Sequence, residues 1–353
     1  MDRRDFFRLA VVAGVAGSMK PVMAADSAQR RYRLTYRVRL PEGSKLARLW
    51  VPVPHCSLDY QSCSGRAWNG EASEADFIEK AAHAAPTFYA LWRGDSPSEI
   101  TVVSDVTTRD RRVDLTSVRE AKAAYPAEVM PFLKPTPTMP IDGIVRQTAL
   151  EATRGATTPL TRARAIYDWV VDNSFRDPNV RGCGIGDIKS MLETGNLGGK
   201  CADINSLFVG LARAAGIPAR EVFGIRLGPS RQFASLGLKS ADASKGQHCR
   251  AEFYLTGVGW VPVDPADVRK AVLEEKLALT DPAIVALRER LFGAWEGNWA
   301  GFNYARDFKL HSQSPGGALN FFMYPQAEID SVPRDSLEPK TFVYQIDAQP
   351  LAA

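Results

Sequence analysis

Between Tyr32 and Leu40 the chain alternates apolar and polar side chains without a break, and past a proline-rich stretch the alternation gives way to a helical period. That change of period constrains the fold more than any other feature. Tyr32, Leu34, Tyr36, Val38 and Leu40 face one way, while Arg33, Thr35, Arg37 and Arg39 face the other, which is a half-buried strand. Pro41-Glu42-Gly43 supplies its turn. Leu49, Val51 and Val53 continue the pattern, and Ile100 to Val106 and Val113 to Leu115 read as later strands. Together they predict an all-β, sandwich-like layer over residues 26–133. Prolines at 131, 135, 137 and 140 then predict an extended linker at 134–140. Beyond it, Thr161 is placed to cap a helix running from Arg162 to Asp172, with Ala163, Ile166, Trp169 and Val170 on one stripe. Residues 141–353 form a second domain with a C-terminal extension, and the overall class is α+β.

Composition removes several functions. The chain has 353 residues, 45% of them hydrophobic and 24% charged, as expected of a folded protein. A formal charge of +4 from 44 Lys+Arg and 40 Asp+Glu is too balanced for a dedicated nucleic-acid binder. No CxxC pair, GxxxxGK[ST] loop or HExxH helix is present, so neither a cofactor nor a metal is expected. The N-terminus carries Arg3, Arg4 and Arg8, an apolar run from Leu9 to Gly17, and Val22-Met23-Ala24. Residues 1–24 thus read as a cleaved signal peptide, with Arg3-Arg4 resembling a twin-arginine signal and an ordinary Sec signal as the alternative. The expected location is the periplasm, with no stable membrane insertion after cleavage. The partner would be a peptide or protein of the cell envelope.

The chemistry concentrates at Gly198-Gly199-Lys200-Cys201, which leads directly into a helical pattern. Ile204, Leu207, Phe208, Leu211 and Ala215 predict one core-facing stripe, Gly216 a C′ glycine, and Pro218 the end of the helix. Cys201 in the first turn would gain thiolate character from the helix end, and the free N–H groups there suit an oxyanion. The two glycines are read as letting a substrate backbone approach. His248 opens a strand to Leu255, and Trp260 to Asp264 returns. A three-residue loop, Thr256 to Val258, pairs Leu255 with Gly259 and Arg250 with Asp264, placing His248 diagonal to Asp264 within reach of a hydrogen bond. A four-residue loop would turn Asp264 to the other face. In that arrangement Asp264 orients His248, and His248 takes the proton of Cys201.

A glycine-rich approach to Cys201, the "RAAGIPAR" turn from Arg213 to Arg220, His248 on a strand and "GW-x-x-V-D-P" from Gly259 to Pro265 resemble the transglutaminase-like superfamily of the papain-like cysteine fold. The resemblance covers about residues 145–267. It implies Cys201 as nucleophile, His248 as base and Asp264 as orienting acid, and a preceding β-sandwich is common among exported bacterial members. Cys249-Arg250 departs from the small residue and Trp common in the family, which bears on the shape of the acyl-donor pocket.

Other readings attach to the remaining residues. Cys56 and Cys63 are close enough to form a disulfide after export. Cys183 could pair with Cys249 or with Cys201, and Cys249 is expected in the core, pointing away from His248. Cys183, Cys201, His248 and Cys249 form the alternative of a metal site, whose spacing fits no common zinc pattern. Asp264 could instead begin a turn before Pro265. Arg220 is expected to pair with a carboxylate near a helix end. The aromatic run Phe292, Trp295, Trp299, Phe302, Tyr304 and Phe308, after a helix around Pro282 to Leu291, reads as core behind a cleft. The expected function is cysteine acyl transfer through a thioester on peptide or carboxamide substrates, hydrolytic (protease or amidase). The alternatives are a protein-crosslinking transglutaminase and a non-catalytic peptide- or glycan-binding module.

Overall fold

A computed structural model describes residues 29–352 apart from 42, 44, 80–84, 95–98, 119–123, 316 and 317. The signal-peptide reading of residues 1–24 lies outside the described residues.

The alternating segment forms the strand Arg30–Arg39, and its apolar set from Tyr32 to Leu40 is buried as the pattern requires. It lies inside a five-stranded antiparallel sheet, between Glu99–Thr108 on one side and Val343–Pro350 on the other. A second five-stranded sheet has the order Val332–Arg334, Gln326–Ile329, Leu46–Pro52, Thr87–Arg93, Glu74–Ile78. Leu34, Tyr36 and Val38 of the first sheet pack with Leu49, Val51 and Phe88 of the second, which makes the layer a sandwich. Both sheets take strands from the C-terminal 30 or so residues. The β layer is therefore not built from residues 26–133 alone. The strand expected at Val113 to Leu115 is instead the two-residue strand Arg111–Arg112, with Val113 N–H bonded to the Gly293 carbonyl outside any sheet.

The proline-rich segment is docked, not extended. Met130–Leu133 is a 3₁₀ turn with Pro131 in its first positions, where a missing N–H costs nothing. Thr136 and Met139 then exchange both backbone hydrogen bonds, and Met139 is fully buried.

Six α-helices follow among the described residues: α1 (Gly143–Ala152), α2 (Pro159–Asn173), α3 (Ile188–Thr194), α4 (Cys201–Ala214), α5 (Pro265–Glu274) and α6 (Pro282–Arg290). Thr158, not Thr161, caps α2; Thr161 sits at the third helical position and closes a reciprocal capping box with it. The central sheet is antiparallel in the order Gly259–Val263, Gln247–Leu255, Ala219–Arg226, Trp299–Asn303. Helix α4 lies in the core against this sheet, with Phe208 edge-on to Phe253 at 6.1 Å. Gly216 adopts φ +80° and the end of α4 is a Schellman motif, with Ile217 N–H bonded to Ala212 O and Gly216 N–H to Arg213 O.

Every residue of α4 is buried, not a single stripe. The C-terminal return covers its polar side: Arg306 bonds the Ser206 hydroxyl at 3.0 Å and the Glu221 carboxylate at 2.8 Å. Burying these polar groups is tolerable only because each is partnered. The aromatic run after α6 is core, as expected, but in strands: Trp295 and Trp299 are buried in Ala294–Trp295 and Trp299–Asn303.

Candidate functional site

The cysteine end of α4 is held by its own third residue. The Asp203 carboxylate accepts from the N–H groups of Lys200 (2.9 Å), Ile185 (2.9 Å) and Gly186 (2.8 Å), tying the approach loop and the 183–186 turn to the helix start. Gly184, at φ +91°, passes so close that a Cβ would lie 1.8 Å from Asp203 Oδ2. Gly198 and Gly199 are needed for the same internal packing. A Cβ would meet the Phe175 ring at 2.3 Å in the first case and Asp203 at 2.4 Å in the second. Those glycines thus admit protein side chains, which replaces the expectation that they admit substrate.

The hairpin has the expected register. Leu255 pairs with Gly259 and Ala251 with Val263 across the loop Thr256 to Val258. The ladder stops there, and Asp264 leaves the strand to become the N-cap of α5. Its two oxygens divide two tasks posed above as alternatives. Oδ1 accepts the Asp267 N–H at 3.1 Å and caps the helix; Oδ2 lies 2.8 Å from His248 Nε2. With Nε2 facing a carboxylate, Nδ1 is the ring nitrogen left for another partner.

Cys201, His248 and Asp264 are all at least 97% buried and are brought together from three segments. The Cys201 thiol is pushed well below its usual range by hydrogen bonds from the Cys183 and Cys249 thiols and from His248, against the effect of burial. The neighbouring thiols pay in the opposite direction: Cys183 is raised by its bond to Cys201 and by burial, and Cys249 by burial first. His248 is raised. Burial and Arg226 act to lower it, and Asp267 together with Asp264 outweighs them.

Several contributors were not legible in the sequence. Asp267, one turn into α5, puts Oδ1 3.4 Å from His248 Nε2 while Arg226 holds the same oxygen at 2.5 Å. Asn205, one turn after Cys201 on α4, donates to Asp264 Oδ1 at 3.2 Å and to the Cys249 carbonyl at 2.9 Å. The helix that carries the sulfur therefore also steadies the carboxylate; the i, i+4 spacing of Cys201 and Asn205 was the available signal. Gln247 lines the cavity beside His248, and its amide Nε2 is buried without a hydrogen-bond partner among the described residues. Trp299 and Trp295 back the histidine strand, donating to the carbonyls of His248 (2.8 Å) and Val263 (3.1 Å).

Cys56 and Cys63 form a disulfide, while Cys183, Cys201 and Cys249 are free thiols. Cys249 is in the core as expected, yet its sulfur also reaches Cys201. Arg220 pairs with Glu252 at 2.7 Å, a strand residue and not one at a helix end, and is sandwiched by Trp260 and Tyr304 with its guanidinium 3.9 and 3.7 Å from their ring centres. The donor atoms of His248, Asp264 and Asp267 lie within 4.8 Å of one another. Arg226 and Arg250 already balance those two carboxylates, so the group lacks the charge deficit that would draw a cation.

A sequence profile of the transglutaminase-like superfamily matches residues 146–265. An uncharacterized protein of Haemophilus influenzae is 42% identical over 340 residues, covering 92% of each chain. Among solved structures, the putative cysteine protease from Cytophaga hutchinsonii shares the fold at 13% identity, with 93% of this chain and 92% of that one covered and a TM-score of 0.59. The periplasmic domain of TgpA from Pseudomonas aeruginosa overlaps less, at 16% identity, 74% and 93% coverage and a TM-score of 0.35. With that core, and an additional β-sheet region built onto it, the chain belongs to the transglutaminase-like superfamily.

Proposed function

We propose that the protein is an exported cysteine acyl-transfer enzyme that hydrolyses amide bonds of peptide or carboxamide substrates in the cell envelope. The observation that carries the reading is the continuous contact Cys201–His248–Asp264, with Cys201 and His248 lining the cavity and Asp264 buried behind them, His248 Nε2 lying 2.8 Å from Asp264 Oδ2. The Cys56–Cys63 disulfide supports an oxidising compartment.

Cys201 thiolate attacks the amide carbonyl carbon and a C–S bond forms, while the carbonyl electron pair moves to oxygen. The Cys201 N–H, first in the helix and without an intrahelical acceptor, and the Gln247 amide are the donors available to that oxyanion. Collapse breaks the C–N bond, and imidazolium Nδ1 of His248 gives its proton to the departing amine. Water then attacks the thioester as His248 takes its proton. The acid leaves and the thiolate returns.

The test is intact-mass spectrometry after mixing with an activated N-acyl peptide ester. The expected result is an acyl adduct on Cys201 that decays in water and is absent from Cys201→Ala. Decay only upon adding a lysine-type amine would instead mark a crosslinking enzyme. No adduct on Cys201 would overturn the catalytic reading in favour of a binding module.

A further inference from the structure

The cavity that reaches Cys201 and His248 has a volume of about 380 Å³. Its wall carries Arg176, Arg181, Lys200, Arg226, Lys245 and Lys270 and, among the described residues, no acidic one. The chain as a whole is nearly balanced, so this is a local concentration of one sign. Three of the six have carboxylate partners: Arg226 with the buried Asp267 at 2.5 Å, Arg181 with Asp335 at 2.7 Å, and Lys270 with Glu274 at 3.9 Å. Arg176, Lys200 and Lys245 have no carboxylate within ion-pair distance among the described residues. They come from separate segments: the strand Phe175–Arg176, the residue before α4, and the loop ahead of the histidine strand. The N-terminal end of α4 adds its own positive potential at the sulfur. Concave walls of one sign focus the field and draw in ligands of the other.

We infer that the cleft selects an anionic acyl donor, a peptide carrying carboxylates beside the amide to be cleaved. This rests on the acyl-transfer reading and names its substrate class. The negative groups lie alongside Arg176, Lys200 and Lys245 while the amide carbonyl reaches Cys201. Neutral carboxamides of the same shape leave three cations facing water and forgo the attraction. Arg226, held by Asp267, belongs to the support of His248 and contributes less to the ligand.

Paired alkylating agents of one size, one neutral and one anionic, test the field without any substrate. An unsteered thiolate reacts with neutral iodoacetamide at least as fast as with anionic iodoacetate. At Cys201, read by peptide mass spectrometry at ~0.01 M salt, iodoacetate should be faster by about tenfold, and the preference should collapse near ~1 M salt as screening shortens from ~30 to ~3 Å. The exposed Lys245→Glu, alone and with Arg176→Glu, should lower the ratio of the two rates, a quantity normalised within each protein. Peptide esters differing only as Glu or Gln beside the scissile group should differ in KM by about tenfold in favour of Glu, with similar kcat. Cys201 labelled by both agents with no charge preference, or equal KM for the two esters, would overturn this inference and leave acyl transfer standing. Failure of both agents to label Cys201 would overturn both readings.

Discussion

His248 meets two carboxylates at one nitrogen, and their surroundings make them unequal. Burial, and then the neighbouring Asp267 charge, raises Asp264, whereas Arg226 and then His248 hold Asp267 well below the usual range against its own burial. Asp267 thus remains charged, and Asp264, 2.8 Å away, fixes the ring. Asp264→Asn keeps a good N-cap for α5, so stability should change by no more than about 1 kcal/mol. Its amide cannot hold the same tautomer, and kcat should fall by about 10²–10⁴-fold with KM little affected, as steady-state kinetics would read. The titration of the pair follows from opposite shifts. Cys201 ionises at lower pH than an ordinary thiol, and His248 keeps its proton to higher pH than an ordinary imidazole, so the thiolate–imidazolium pair exists between the two. Iodoacetamide should therefore modify native Cys201 at pH 6 nearly as fast as at pH 8, whereas an ordinary thiol of pKa ~8.5 slows by roughly two orders of magnitude between them. A native slowing that large would refute the shift. At this scale Cys201, His248 and Asp264 were legible in the sequence as residues that could meet, because spacing and a hairpin register locate them. It did not show Asp267 or Gln247, whose roles depend on where α5 and the cavity wall turn.

Helix α4 was legible as an element, from its glycine approach to its Gly216 stop, but its degree of burial was not. Apolar periodicity reports only the face that the nearer sheet covers. The other face is closed by Arg306, a hundred residues along the chain from Ser206, and a polar pattern there looks like a solvent face until its partner is known. The approach loop carries the element-scale prediction. Gly184→Ala combines a left-handed backbone with a Cβ overlapping the Asp203 carboxylate, and that carboxylate holds three backbone N–H groups. It should cost about 2–4 kcal/mol, visible in thermal melting, and slow Cys201 alkylation by displacing the helix start. An unchanged melting temperature would show that the turn relaxes freely. The misplaced cap of α2 has a similar origin. Thr158 and Thr161 both fit a capping signature, and Pro159 at the first helical position is what decides between them.

For the molecule as a whole, the sandwich and the helical core are not separable halves. Ile225 and Phe302 of the central sheet, with Leu227 just beyond its strand, pack into the same apolar cluster as Leu34 and Phe88. The alternation at Tyr32 to Leu40 announced a strand with one buried face but could not announce its neighbours, because strand partners are set by tertiary order and not by period. Residues 26–133 expressed alone should therefore lack a cooperative thermal transition, since two strands of one sheet and one of the other come from 326–350. Circular dichroism on that fragment decides it; a sharp transition would restore an autonomous domain. Deleting residues 341–352 strips eight paired residues from Arg30–Arg39 and exposes its edge, so the shortened chain should aggregate.

That pairing of Arg30–Arg39 with Val343–Pro350 also has a temporal meaning. The strand Arg30–Arg39 must wait, one flank open, until Val343–Pro350 has been synthesised. Products terminated before Val343 would carry the cysteine, the histidine and the aspartate yet never close that flank of the sandwich sheet. Synthesis through Pro350 is in this way a precondition for a working molecule.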